Sequence, residues 1–278
     1  MYLSRVSFDI MHTRMDVLLF EEKAMADRLF DMIERRILRL ETLFNRFDES
    51  SELSLINREA GEKKVKASEE IADILSAGLN LKERCLGYFD VTKNRETIEI
   101  DSENSIFIKK GTELDLGAIA KGYALDCIRD IFEKAGVERA FVSFGESSIL
   151  GWGAHPMGNH WPLGAKNFFT PDEVIWRCKI RNEVLSGSGT LQRREGKLLP
   201  HLKNPLTGEM VTVHRVSSVI TKSGTEGDAL ATALAVAESN DERQRMMRNF
   251  PDARACVHTY EDRIVTDKII YDGTHDGR

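Results

Sequence analysis

The alternation of apolar and polar residues divides the chain into short strands and amphipathic helices. Between Glu22 and about Phe47, apolar residues recur at steps of three and four, the period of a helix buried along one face. Further helices are predicted over residues 68–86, 118–135, 227–237 and 241–249. Strands are predicted over residues 4–10, 15–20, 140–143, 149–152, 174–185, 213–222, 254–259 and 263–266, with a strand-rich stretch between Ile98 and Ile108.

The order of these elements indicates the fold class. Strands and helices mix without strict alternation, so we expect an α+β fold with largely antiparallel mixed sheets and flanking helices. Ser68 is placed to cap one helix and Gly136 to end another. Because no linker, repeat or low-complexity tract interrupts the pattern, residues 1–278 are predicted to form one domain.

Composition narrows the function classes. The net charge is −6 with both signs interspersed, which argues against a nucleic-acid surface. The four cysteines, Cys85, Cys127, Cys178 and Cys256, have no C-x-x-C spacing, so buried reduced thiols are expected rather than a zinc or redox site. The sequence shows no signal peptide, lipoprotein cysteine or transmembrane segment, and we expect a cytoplasmic protein.

The strongest local motif is Asp228-Ala-Leu-Ala-Thr232, in a predicted helix after the polar segment 223–227. Residues four apart lie on the same helical face, so a carboxylate and a hydroxyl can both supply oxygens to a hard cation such as Mg²⁺. The alternative is structural: Asp228 caps the helix and Thr232 packs.

A second motif covers residues 115–126, with the sequence D-L-G-A-I-A-K-G-Y-A-L-D. It predicts a strand end, a glycine turn and a helix of small residues. Backbone N–H groups at such a helix start suit a phosphate, and Lys121 one turn in adds positive charge. The alternative is a helix packed closely on a sheet, with Lys121 in solvent.

Three further segments are weaker alone. Gly145 follows a predicted strand and could let the backbone approach a ligand, although the pattern favours the alternative of a plain hairpin. The polar loop 186–190 contains Ser188. His201 stands just before the turn signature N-P-L-T-G, where it could act as a general base or lie on the surface without a role.

Taken in order, these segments resemble the ApbE family of FAD:protein FMN transferases over about residues 8–240. Residues 115–126 match the family pattern D-L-G-[AG]-[IV]-A-K-G-Y-A-x-D closely. Other similar segments are Met11-His12-Thr13 for M-G-T, residues 51–57 for S-E-[LI]-x-x-[LI]-N, the pattern S-G-x-x-x-R at Ser188, Gly189 and Arg193, residues 201–208 for H-[IL]-[IL]-[DN]-P-x-T-G, and residues 228–232 for D-A-L-[SA]-T.

The resemblance implies a specific site and reaction. One Mg²⁺ would be held by Asp228, the Thr232 hydroxyl and the backbone oxygen of Ala118. Residues expected to contact FAD are Met11, Asp115, Lys121, Gly145 and Ser188. His201 is the expected base, and FMN would pass from FAD to a Thr or Ser hydroxyl of an acceptor flavoprotein through a phosphoester, releasing AMP. FAD would lie within the single domain or between two closely packed lobes.

Three positions depart from the family pattern. Gly145-Glu146 replaces Gly-Gly, Gly187 replaces a frequent threonine, and His12 replaces the glycine of M-G-T. Two alternative functions use the same loops: an FAD pyrophosphatase giving FMN and AMP, and a non-catalytic FAD-binding protein.

Overall fold

The computed structural model describes residues 2–94 and 96–272. Its helices are α1 (Lys23–Phe44), α2 (Glu52–Glu59), α3 (Glu69–Arg84), α4 (Ala120–Ala135), α5 (Gly224–Val236) and α6 (Asn240–Met247). Its strands are β1 (Ser4–Ile10), β2 (Thr13–Leu19), β3 (Val65–Lys66), β4 (Ile98–Ile100), β5 (Ser105–Ile108), β6 (Ala140–Phe144), β7 (Ser148–Trp152), β8 (Trp161–Lys166), β9 (Val174–Ile180), β10 (Glu183–Gly189), β11 (Leu191–Arg194), β12 (Lys197–Pro200), β13 (His214–Thr221), β14 (Arg254–Glu261) and β15 (Ile264–Tyr271).

One eight-stranded sheet organises the chain, in the order β1-β2-β6-β7-β10-β13-β14-β15. Every neighbouring pair in it is antiparallel. Smaller sheets are formed by β3-β5-β4, β8-β9 and β11-β12. The expected α+β class with largely antiparallel sheets is therefore confirmed.

Local sequence signals explain most helix boundaries. Ser51, Ser68, Ser223 and Ser239 each accept a hydrogen bond from a backbone N–H in the first turn of α2, α3, α5 and α6 respectively. Gly136 ends α4 in the left-handed conformation, at φ 69°. The predicted helix starts and stops are thus confirmed to within a few residues.

Two predicted strand assignments were wrong. Residues 174–185 form two strands in different sheets rather than one strand, since a bend at residues 181–182, where Asn182 has φ +54°, separates β9 from β10. The second strand begins at Thr13 rather than at residue 15. The connection from β1 to β2 is a tight turn in which Met11 and His12 both have positive φ, as two-residue hairpins prefer.

The core lies between the large sheet and the helices. The inward side chains of β2, Met15, Val17 and Leu19, are fully buried, and α1 buries a stripe that includes Leu29 and Ile33. Helix α5 is buried on almost every side because its small alanines allow it to pack against α4, β10 and β13. All four cysteines are free thiols. Within the described ranges, the helices include none that is long and apolar enough to cross a membrane.

Candidate active site

Two adjoining cavities open beside the first turn of α4. The larger has an empty volume of about 1570 Å³, part of it open to solvent, and the smaller about 620 Å³. Asp115, Gly117 and Lys121 line both cavities. The larger is also lined by the candidates Ala118, Ser188, His201, Asp228 and Thr232, and the smaller by Met11. The structure thus brings together every candidate residue except Gly145.

Asp228 is the most constrained polar group of the larger cavity. It lies one turn into α5 and is only 6% exposed. Its Oδ1 accepts hydrogen bonds from the hydroxyls of Ser148 (3.0 Å) and Ser186 (2.6 Å). Its Oδ2 accepts a bond from the backbone N–H of Gly122 (2.7 Å). Since Ser223 caps α5, the alternative in which Asp228 caps its own helix is wrong.

The buried position of Asp228 disfavours the ionised form of its carboxyl group. Burial raises the pKa of Asp228 above its ordinary value, while the Lys121 ammonium and the three hydrogen bonds oppose that rise. An anionic carboxylate here therefore depends on nearby positive charge. Lys121 supplies part of it, and a bound cation would supply more.

The oxygen donors around Asp228 fit a hard divalent cation. Thr232 lies one helical turn beyond Asp228, with its Oγ1 3.5 Å from the Ser188 Oγ. A carboxylate oxygen has about two lone-pair sites, so Oδ2 keeps acceptor capacity beyond the Gly122 bond. Across residues 2–94 and 96–272, no three His, Cys, Asp or Glu side chains form a metal cluster. One carboxylate with neutral oxygens suits Mg²⁺, which retains waters and binds substrate phosphates.

The turn before α4 is held by Asp115. Its Oδ1 accepts from the backbone N–H of Gly117 at 2.9 Å, and its Oδ2 lies 3.2 Å from the Arg46 Nε. No side chain caps α4 at Ile119. The N–H of Gly122, however, is already bound by Asp228, so it is not available to a phosphate as the sequence pattern suggested. Asp115 in this turn and Lys121 in the first turn of α4 are the charged residues of this segment that line both cavities.

His201 also lines the larger cavity and comes directly after β12. The residue is exposed, and its backbone N–H donates to the Thr190 carbonyl at 3.2 Å. The predicted turn after it is confirmed: the Asn204 side chain accepts from the Leu206 N–H at 2.9 Å, and Gly208 has φ +79°. This turn holds the His201 segment against the cavity, where Lys203 and Pro205 also line the wall.

Met11 reaches the smaller cavity from the β1–β2 turn. Its backbone N–H donates to Glu41 Oε1 at 2.6 Å, which ties the turn to α1. His12 adopts the left-handed conformation, with φ 57°. This conformation costs histidine more conformational free energy than it costs the glycine of the family pattern.

Gly145 lies outside the lining of both cavities. A Cβ at this position would come 2.8 Å from the Thr13 hydroxyl, so the glycine lets the β6–β7 turn approach β2. Glu146 is exposed, with φ 57°. A contact between Gly145 and FAD stays a prediction.

Sequence reasoning missed several lining residues. The segment after α3 contributes Tyr88, Phe89, Asp90, Thr92 and Lys93 to the larger cavity. Asp90 forms an ion pair with Lys82 at 2.6 Å and also binds the Thr92 hydroxyl. The glycine-aromatic run at 87–89 was the available signal.

Phe44, Arg46 and Phe47 line the smaller cavity. Phe47 is 73% exposed, with the Arg46 guanidinium 4.1 Å from its ring centre. A single exposed aromatic residue gives no periodic pattern that sequence reasoning could use.

The fold and the adjoining cavities define an α+β protein with room for a dinucleotide beside one buried carboxylate. Comparison with known proteins gives its family: the ApbE family model matches residues 11–96 and 92–257, so the chain belongs to the ApbE family. The predicted resemblance is confirmed.

Individual relatives agree with this assignment. The chain is 33% identical over 150 residues to an FAD:protein FMN transferase of Klebsiella pneumoniae (strain 342), a match that covers 52% of this chain and 45% of that relative. It is 25% identical over 255 residues to an FAD:protein FMN transferase of Chlamydia pneumoniae, covering 78% and 79% of the two chains. The crystal structure of the ApbE protein of Thermotoga maritima shares the fold, with a TM-score of 0.82, 22% identity, and coverage of 98% and 97%.

Proposed function

We propose that this protein is an enzyme that transfers the FMN half of FAD to a threonine or serine hydroxyl of another protein and releases AMP. The proposal is supported by relatives named FAD:protein FMN transferase. The observation that carries it is the buried carboxylate of Asp228, which lines one cavity together with Lys121, Thr232 and His201.

The reaction forms one bond and breaks another at the same phosphorus. The acceptor hydroxyl oxygen attacks the phosphorus on the FMN side, and the bond to the bridging oxygen of the pyrophosphate breaks. The bridging oxygen leaves with AMP, and the acceptor proton passes to a base. Charge therefore accumulates on the phosphate oxygens, and an effective site neutralises it without rearranging.

The residues of the larger cavity supply these functions. Asp228, Thr232 and the backbone oxygen of Ala118 would hold Mg²⁺, which supplies positive charge to the phosphate oxygens. Lys121 adds a fixed positive charge beside the pyrophosphate. His201, exposed at the cavity, takes the proton of an approaching hydroxyl. Phe44 and Phe47 offer aromatic faces to a flat ring in the smaller cavity.

Hydrolysis competes with transfer in the same site, because water that reaches His201 through the open cavity can replace the acceptor hydroxyl. The deciding experiment incubates the protein with FAD and Mg²⁺, with and without a threonine-bearing acceptor, and measures the masses of all products. An acceptor mass increased by one FMN group joined through a phosphoester, with AMP in equal amount, supports transfer. FMN and AMP without acceptor modification would identify a pyrophosphatase. No turnover of FAD would leave only flavin binding.

A further inference from the structure

Helices α4 and α5 carry the same short pattern at their first turns. In α4 a glycine is followed four residues later by an aspartate, at Gly122 and Asp126. In α5 the pattern recurs at Gly224 and Asp228. Residues four apart lie above one another on a helix, so each aspartate projects from the same face as its glycine.

The two patterns bind each other reciprocally. Asp126 Oδ1 accepts from the backbone N–H of Gly224 at 2.8 Å, and Asp228 Oδ2 accepts from that of Gly122 at 2.7 Å. Asp126 Oδ2 also accepts from the Thr225 N–H (3.0 Å), the Thr225 hydroxyl (2.8 Å) and the Ser223 hydroxyl (2.8 Å).

The glycines allow this approach. A Cβ on Gly122 would lie 2.0 Å from the Gly224 carbonyl oxygen, and a Cβ on Gly224 would lie 2.5 Å from that of Gly122. No side chain fits between the two backbones, so the helices touch at these glycines. Each helix start then receives the carboxylate of the other, which suits its N-terminal dipole.

We propose that Asp126 is a positioning residue, which sets the cation affinity of the site through this reciprocal clamp. The turn before α4 carries Ala118 to the cavity, the first turn of α4 carries Lys121, and α5 carries Asp228 and Thr232. Asp126 lines neither cavity, so it acts through the two helices rather than on the substrate. The inference that this affinity serves catalysis rests on the proposed function.

The clamp makes a prediction about metal binding that does not require turnover. Asp126→Ala removes every carboxylate bond to the start of α5. We expect Mn²⁺ binding, followed by EPR with and without FAD, to weaken about 10-fold, the lower end of the range for lost partners of metal ligands, because Asp126 bonds to the helix that carries Asp228 and not to Asp228 itself. Asp126→Asn is the milder variant, since it keeps one acceptor oxygen, and its Mn²⁺ affinity should lie between those of the native protein and Asp126→Ala. Ser68 caps α3 and lines neither cavity, so Ser68→Ala is the matched control and should leave Mn²⁺ binding unchanged.

Hydrogen–deuterium exchange separates the clamp from a simple helix cap. The clamp predicts faster exchange in Asp126→Ala both at residues 223–226 and across the interface at residues 117–123. Faster exchange at 223–226 alone, with unchanged Mn²⁺ affinity, would overturn the proposal. If the unaltered protein binds no Mn²⁺ even with FAD, the metal assignment of the proposed function fails, and exchange at 117–123 still decides whether the clamp exists.

Discussion

Replacing Asp228 by asparagine separates cation binding from folding. In the native site Oδ1 accepts from Ser148 and Ser186, and Oδ2 accepts from the Gly122 N–H. An asparagine oxygen can keep the Gly122 bond, while its NH₂ donates to the two hydroxyls, which are able to accept. The substitution also removes a buried charge. We therefore expect the metal-free variant to be as stable as the native protein, within about 1 kcal/mol, or more stable.

Asp228→Asn should keep the stability of the metal-free protein but lose the stabilisation that Mg²⁺ binding gives. With FAD present and Mg²⁺ at about 100 times its Kd, binding stabilises a native protein by about 2.7 kcal/mol. For a chain of this size that corresponds to a rise in Tm of roughly 5–10 °C. Asp228→Asn removes the only carboxylate of the predicted ligand set, so the variant should show almost none of this rise and no Mg²⁺-dependent turnover.

The assay is thermal unfolding by circular dichroism with FAD, with and without Mg²⁺, alongside product masses. Asp252→Asn is the matched control, because Asp252 is an exposed carboxylate that pairs with Lys222 away from the cavities, and it should respond to Mg²⁺ as the native protein does. Asp228→Ala should lose about 1–3 kcal/mol of stability, since it leaves the buried Gly122 N–H without its acceptor. An undiminished Mg²⁺ shift in Asp228→Asn would refute the metal assignment.

Three further predictions address the base, the ligand and the stability of the fold. His201→Ala should slow transfer by about 10²–10⁴-fold with FAD affinity nearly unchanged, measured by acceptor labelling and by fluorescence titration; equal loss of affinity would make His201 a binding residue. FAD should bind much more tightly than FMN, and equal affinities in the same titration would contradict a pyrophosphate site. His258 is 0% exposed, and burial lowers its pKa from 6.5 to about 4. The unfolded chain takes up this proton at a higher pH than the folded chain does. The contribution of His258 to the free energy of unfolding should therefore fall by about 3 kcal/mol as the pH drops from 6.5 to 4, and unfolding of His258→Gln should depend less on pH over this range.

The sequence could predict what local chemistry controls. The Ser68 cap and the left-handed Gly136 act within one helical turn, so the start of α3 and the end of α4 could be located without tertiary information. The break between β9 and β10 could not, because Arg181-Asn182 has neither glycine nor proline and the apolar residues at 176, 178, 180 and 184 keep the same phase on both sides of it. Asparagine tolerates the left-handed conformation but does not require it.

The partners of Asp228 lay beyond sequence reasoning for a different reason. Ser186, Ser148 and Gly122 are 42, 80 and 106 residues away along the chain. They meet only because β7 and β10 are neighbours in the large sheet and α4 crosses α5 at a pair of glycines. Spacing alone identified Asp228 as chemically interesting, whereas its environment depends on strand order.

The hydrogen-bond partners of Asp228 suggest why an ionisable residue occupies this buried position. A carboxylate enclosed by two serine hydroxyls and one backbone N–H is a poor way to stabilise a fold, since neutral groups of similar shape can make the same bonds without the cost of burying charge. The reciprocal bond of Asp126 shows that helix starts in this protein can be capped by a carboxylate with 17% side-chain exposure, closer to solvent. Asp228 is instead deeper and lines the cavity. A bound cation would offset its desolvation, so the residue that we expect to weaken the metal-free fold is the one that would make the site selective for a hard positive ion.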